Sequence, residues 1–192
     1  MNAPKRRRNA TATRAAILTS ARRAFARAGY DGVGVRDIAA GAGVTAMLVN
    51  RYFRSKERLY AEVVAQTMAN PTILTRENLN SSTRAKDMAA ALIDVTKADA
   101  TPLDGFLIML HSASSKRAAE IGREQIESNY HRLLTESLSG DFSAERAAVV
   151  HSLVAGVHVM RQMIGLSALA ETKPTALIEL LVPLFRQLVE GD

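Results

Sequence analysis

The stretch Val35–Phe53, VRDIAAGAGVTAMLVNRYF, reads as two short helices joined by a glycine-containing turn. In the first, over Val35–Gly41, Ile38 supplies an apolar contact and Ala39 is small where a second helix must come close. Gly43 has no Cβ and can take the positive φ that a sharp turn between helices demands. Val44 then plugs the corner, and Thr45 is placed to cap the next helix, its hydroxyl accepting from the free backbone N–H groups of the first turn. From Thr45 to Phe53 the helical period separates two faces: Leu48, Val49 and Phe53 lie on one side with Tyr52 at its margin, and Ala46, Met47, Asn50 and Arg51 lie on the other. A helix pair of this form inserts the exposed side of its second helix into a major groove, where Asn and Arg carry the donors that address base edges. Gly41, Gly43 and Ala46 also fit a G-x-G-x-x-A nucleotide fingerprint. That pattern needs a strand before it and a βαβ unit around it, and VRDIAA is neither apolar enough nor so flanked.

Charge follows this stretch. The chain has 192 residues, 47% apolar, with a formal charge of +6, no Cys and no Trp. Residues 1–70 hold 13 Lys and Arg against 4 Asp and Glu, whereas residues 71–192 hold 12 against 15. A basic module for a polyanion joined to a slightly acidic module for something else is the arrangement this asymmetry implies. Without cysteine there are no disulfides and no thiolate metal sites. No signal peptide is visible, and charge breaks every apolar segment before about 18 residues, so no membrane span is expected and the cytoplasm is the expected compartment.

Taken in order, residues 1–10 (MNAPKRRRNA) read as a flexible basic arm, either following phosphates or entering a minor groove, or simply a solvated tail. Helix 1 is expected over Thr11–Ala28, with Ile17, Ala21, Phe25 and Ala28 as its stripe and Gly29 as its stop. After the connector YDGVG and the helix pair comes RSKERLYAEVV, where Ser55 is a natural N-cap and Lys56 adds a cation at a helix start that already favours phosphate. Leu59, Val63 and Met68 give this fourth helix its buried stripe, and Asn70-Pro71 ends it.

Helix 1 with Phe25, the run GYDGVGVRDIAAGAGVT, the ending RYF and the segment SKERLYAEVV together resemble the N-terminal domain of TetR-family transcriptional regulators, over about Thr11 to Val64. The resemblance implies an all-α fold: a three-helix helix-turn-helix DNA-binding head over 11–54, and a helical ligand-binding and dimerisation body over 55–192. It places base contacts on Ala46, Met47, Asn50 and Arg51, and phosphate contacts on Thr45, Tyr52 and Lys56, with Thr13 or Arg14 at the start of helix 1. Many members carry Lys-Gly where this chain has Ala46-Met47, and an aromatic where it has Asn50. The scaffold is therefore kept while the donors differ. Met47 is suited to a thymine methyl and Arg51 to a bidentate guanine contact.

Beyond Pro71 the resemblance fades. TILTRENLNSST has no clear period and reads as a connector. A helix is expected over Thr83–Ala98 with Met88, Leu92 and Val95 or Thr96 inward, and Pro102 opens the next, whose FLIML run at 106–110 reads as buried on all sides. One long helix is expected over Lys116–Leu138, with Ile121, Ile126, Tyr130, Leu133 and Leu134 inward and Gly140 as its stop. The last two, Ser143–Leu166 and Pro174–Val189, are apolar nearly all round, which one face of a monomer does not bury; Pro183 is expected to interrupt the second. They read as the interface of a homodimer, as the resemblance also implies.

An inducer pocket is expected in the body, in the region of Met88, Leu92, Phe106, Met109, Leu110, Tyr130, Met160 and Met163, because methionines adapt to varied apolar shapes, although plain core is the stronger reading for any single one of them; its ligand would be small and apolar or amphipathic. No cofactor is expected. His151 and His158, two turns apart on one face, are too distant to share one ion, and none of the serines sits in a G-x-S-x-G elbow. The partner read from these residues is thus a double-stranded DNA operator, near-palindromic if two heads grip it. A protein that coats DNA without reading it, and a helical enzyme or carrier with an incidental basic head, share the composition. The enzyme class lacks any convergent catalytic group in the sequence.

Overall fold

The computed structural model describes residues 3–69, 71–97 and 104–190, with side chains from Ala10 onward. Among the described residues there are helices and no strands. Twelve α-helical segments follow in order: α1 (Ala3–Ala28), α2 (Val35–Gly41), α3 (Ala46–Phe53), α4 (Lys56–Thr67), α5 (Arg76–Asn80), α6 (Arg84–Val95), α7 (Asp104–Ser112), α8 (Lys116–Ile126), α9 (Arg132–Ser137), α10 (Ser143–Val157), α11 (Ser167–Ala170) and α12 (Pro174–Val189). Two π-helical stretches, Glu127–His131 and His158–Met163, follow α8 and α10.

The chain divides into two compact units, Met1–Ala69 with Pro102–Gln125, and Asn70–Thr101 with Ile126–Asp192. In the first, the core is Ile17, Ala21 and Phe25 of α1, Ile38 of α2, Val49 and Phe53 of α3, Leu59, Tyr60, Val63 and Val64 of α4, and Ile108 of α7. Tyr60 meets Phe25 edge-on at 5.1 Å between ring centroids and Tyr30 at 5.0 Å. Helix α7 is fastened to the end of α1: His111 Nδ1 donates to the Ala26 carbonyl at 2.7 Å, and the Tyr30 N–H donates to Ser112 Oγ at 2.9 Å. Gly29 is required there twice over, since its φ is +66° and a Cβ would stand 2.3 Å from the His111 carbonyl oxygen.

In the second unit α6 packs on α12, and Met88, Ala89 and Leu92 are closed off with Leu134, Ala147, Val150 and Phe185. Arg161, in the second π stretch, is buried as well. Its Nε donates to the Leu169 carbonyl at 3.1 Å, and one terminal nitrogen donates to the Ile93 carbonyl at 2.6 Å and to Thr96 Oγ1 at 2.7 Å. A guanidinium thus caps the C-terminal end of α6, where free carbonyls favour a cation. Burial holds its pKa below the usual arginine value.

Several expectations are corrected. Helix α1 starts at Ala3 and not at Thr11, so the backbone of the basic segment continues the helix. Pro4 stands in its first turn, where proline needs no N–H partner. The connector after Pro71 contains α5, capped by Thr75 Oγ1 on the Asn78 N–H at 3.0 Å and seated by the buried Leu79. Of the FLIML run only Ile108 is fully buried, and Leu110 is exposed, because α7 covers one face only. The helix expected over Lys116–Leu138 runs to Ser137 but widens to π geometry at Glu127–His131, where Ser128 and Asn129 are weak helix formers and the Ser128 carbonyl also accepts from Arg132 Nε at 3.3 Å. The last-but-one helix passes into π geometry at His158 and ends at Gly165, φ +68°. Pro183 does not interrupt α12: it lies on the exposed side, where the carbonyl of Glu179 four residues back can be hydrated. Pro102 and Ala98, expected at helix ends, lie outside the described residues.

Candidate nucleic-acid interface

The turn between α2 and α3 is built as the sequence implies. The Val44 N–H donates to the Ala39 carbonyl at 3.0 Å and the Gly43 N–H to the Ala40 carbonyl at 3.1 Å, the paired closure of a helix end around a left-handed residue; Gly43 has φ +65°. Thr45 Oγ1 accepts from the Leu48 N–H at 3.3 Å, capping α3. Ser20 Oγ of α1 donates to the Ile38 carbonyl at 2.8 Å, tying α2 to the helix behind it.

On α3, Val49 and Phe53 are buried and Leu48 is half-buried. Met47 is 80% exposed, Asn50 and Arg51 are exposed, and Ala46 is half-buried on the same outward side. An 80%-exposed methionine at the start of a helix has no packing role within its own unit. Asn50 and Arg51 likewise donate their side chains to nothing among the described residues. The four side chains expected at base edges are therefore presented together on one face.

The residues expected at phosphates are held in different ways. Thr45 is exposed with its hydroxyl engaged in the cap, and Tyr52 is half-buried with its ring 6.4 Å from that of Phe53. Lys56 is half-buried at the start of α4, its Nζ 4.2 Å above the Tyr30 ring. Arg14 lies 5.0 Å over the Phe53 ring and pairs with Glu62 at 2.6 Å, so its guanidinium is committed within the unit. Ser55 Oγ accepts from the Arg58 N–H at 3.2 Å, capping α4 as expected.

The eight residues expected around an inducer divide between the two units. Met88 and Leu92 are fully buried in the core of the second unit, with Tyr130 half-buried against it; Met160 and Met163 are exposed on the second π stretch; Phe106, Met109 and Leu110 belong to α7 in the first unit. An open depression of about 470 Å³ in the second unit is lined by Ala90, Ala91, Ile93, Asp94, Lys97, Pro174 and Ile178, none of them in that set.

Two features escaped the sequence reading. Arg161 carries no periodic signal that separates it from a solvated arginine. His131 and His151, 20 positions apart in the chain, bring their rings to 5.7 Å. His151 Nε2 is buried without a partner, and burial, followed by the neighbouring His131, pushes its pKa down to about 4. Among the described residues no three His, Asp or Glu side chains group as metal ligands, and no helix is long and apolar enough to cross a membrane.

Comparison with known proteins gives two family matches. The family described as bacterial regulatory proteins, tetR family, matches residues 17–63, and the tetracyclin repressor-like C-terminal domain matches residues 83–189. No curated protein matches the chain. Among solved structures, Salmonella enterica GusR superposes with a TM-score of 0.73 at 16% identity, over 93% of this chain and 95% of that one. A TetR-family regulator from Streptomyces coelicolor gives 0.60 at 21%, over 94% and 96%. Bacillus subtilis FadR in complex with stearoyl-CoA gives 0.59 at 17%, over 92% and 98%. At these identities the likeness is one of fold.

Proposed function

Since the chain belongs to the TetR family of DNA-binding transcriptional regulators, we propose that it is a homodimeric, ligand-responsive repressor that reads a near-palindromic operator through α3. The observation that carries this reading is the outward set Ala46, Met47, Asn50 and Arg51 on a helix capped at Thr45 and seated by Val49 and Phe53. Rigid seating with unspent donors is what base readout needs. Lys56, Thr45 and Tyr52 would hold register on phosphates, and Asn50 and Arg51 would choose sequence, whereas Arg14 is spent on Glu62.

The dimer is proposed through α10 with its π continuation and α12. Leu180 is 68% exposed and Leu184, one turn on, is 46% exposed; Val149, Met160 and Met163 stand out from the other helix. Such apolar side chains on paired C-terminal helices match a symmetric, self-complementary contact. The division of labour is a head at 11–54 and a body at 55–192, acting in the cytoplasm. A small apolar or amphipathic effector would act by binding better to a body shape that sets the two heads at the wrong spacing. FadR with its bound stearoyl-CoA is a case in which this fold accepts such a molecule.

Selection of bound fragments from random duplexes tests the reading. A palindromic consensus with half-sites about one DNA turn apart, roughly 34–36 Å, is the expected result. Arg51→Ala should relax preference at particular bases, and Lys56→Ala should weaken binding to every duplex with a shallower salt dependence. No enrichment, or equal effects of both changes on all sequences, contradicts it. Light scattering of Leu180→Glu against the unaltered protein should show the dimer lost.

A further inference from the structure

Helix α3 ends at Phe53 and α4 begins at Lys56 with Ser55 as its cap, which leaves Arg54 alone to turn the chain. It does so at φ 64°, ψ −41°, and the Ser55 N–H donates across it to the Phe53 carbonyl at 2.7 Å. This is a γ-turn of the rare positive-φ kind, in which a Cβ is crowded. Packing imposes it: Phe53 and Leu59 are both buried, and both helices must keep those contacts. Glycine would take this geometry without crowding, yet the position holds one of the longest side chains.

Arg54 is exposed and has no ion pair, side-chain hydrogen bond or ring contact among the described residues. Its cationic neighbours differ: Arg14 is held by Glu62 and Phe53, and Lys56 leans on Tyr30. A strained backbone that carries an uncommitted charge, immediately after a helix that reads bases, implies that the charge is spent outside the chain.

We propose that Arg54 is a backbone contact: its guanidinium binds a phosphodiester of the duplex and clamps the C-terminal end of α3. This rests on the DNA-binding reading above. Lying beyond the last residue of the helix, Arg54 contributes affinity and register and not sequence preference.

The full-length protein is titrated by fluorescence anisotropy against its selected operator and a scrambled duplex, over a range of salt, alongside Arg54→Ala, Arg54→Gly and Arg54→Lys. Arg54→Ala keeps the strained turn without the charge, and Arg54→Gly removes both. The expected result is roughly fivefold weaker binding for both, on both duplexes, with the slope of log K against log salt shallower by about 0.9, while Arg54→Lys stays within about twofold of the unaltered protein. Arg54→Gly should also melt above Arg54→Ala. Should Arg54→Gly bind as the unaltered protein does while Arg54→Ala fails, the turn and not the charge is what matters, and the proposal is overturned. Unchanged affinity and slope in both variants overturns it equally. If the unaltered protein itself retains no duplex, the DNA-binding reading fails first and takes this one with it.

Discussion

His151 should make the protein acid-sensitive in a defined window. Its ring lies between α10 and the π stretch that precedes α9, with Nε2 buried and unpartnered and His131 at 5.7 Å. Burial first, and His131 second, depress its pKa from 6.5 to about 4. A base with a depressed pKa is neutral in the fold but takes up a proton in the unfolded chain once pH falls below about 6.5. Between 6.5 and 4 the unfolded state therefore binds more protons, and stability rises with pH. The resulting penalty is absent above 6.5 and grows progressively towards 4. At about 1.4 kcal/mol per pKa unit the fall from 6.5 to about 4 has a ceiling of about 3.5 kcal/mol, and solvent reaching the half-buried ring reduces it to on the order of 2 kcal/mol. Urea denaturation at fixed protein concentration, in steps from pH 8 to pH 4, measures this for the unaltered protein and for His151→Leu, which cannot titrate. The difference between the two curves should be level above pH 6.5 and slope below it, with His151→Leu gaining relative stability in acid. A difference curve level down to pH 4, or an NMR titration of His151 centred near 6.5, would refute the reasoning.

Thr45→Ala should cost about 1 kcal/mol and speed amide exchange at Leu48, with Thr45→Ser restoring both, because the cap is a single hydroxyl acceptor at 3.3 Å. Leu92→Ala should destabilise by roughly 2–5 kcal/mol if Leu92 is core, as its complete burial implies; a loss under about 1 kcal/mol in denaturant would show slack around it and return it to a ligand cavity. Arg161→Met should cost about 1–3 kcal/mol and expose the last turn of α6 to hydrogen exchange, since the Ile93 carbonyl and Thr96 Oγ1 lose their donor. Unchanged protection there would show that the guanidinium is not what closes that helix.

The first unit was legible in its helix pair because its signals are local. Gly43, Thr45 and Ser55 act within three or four residues of themselves, and Ile38, Val49 and Phe53 announce their faces by period alone. The π turns at Glu127 and His158 were not legible, because apolar spacing does not encode them; at the first, the Ser128 carbonyl accepts from Arg132 Nε. Arg54 was missed for a related reason: its positive φ is imposed by Phe53 and Leu59 on either side, and nothing in an arginine signals it.

The two expected sites part company for a physical reason. A side chain that meets DNA must be free of its own protein, so Met47, Asn50 and Arg51 stand out against a period that is otherwise apolar on the opposite face. A side chain that meets an apolar ligand needs the chemistry of a core side chain. Met88 and Leu92 satisfy the pattern of a lining and of a core equally, and the fold uses them as core, with Leu134 and Phe185 closing over them. Spacing can therefore find an exposed polar face in a helical protein, whereas an apolar cavity is defined by which volumes remain unfilled once every helix has packed. That quantity depends on α6, α10 and α12 together, and no single segment carries it.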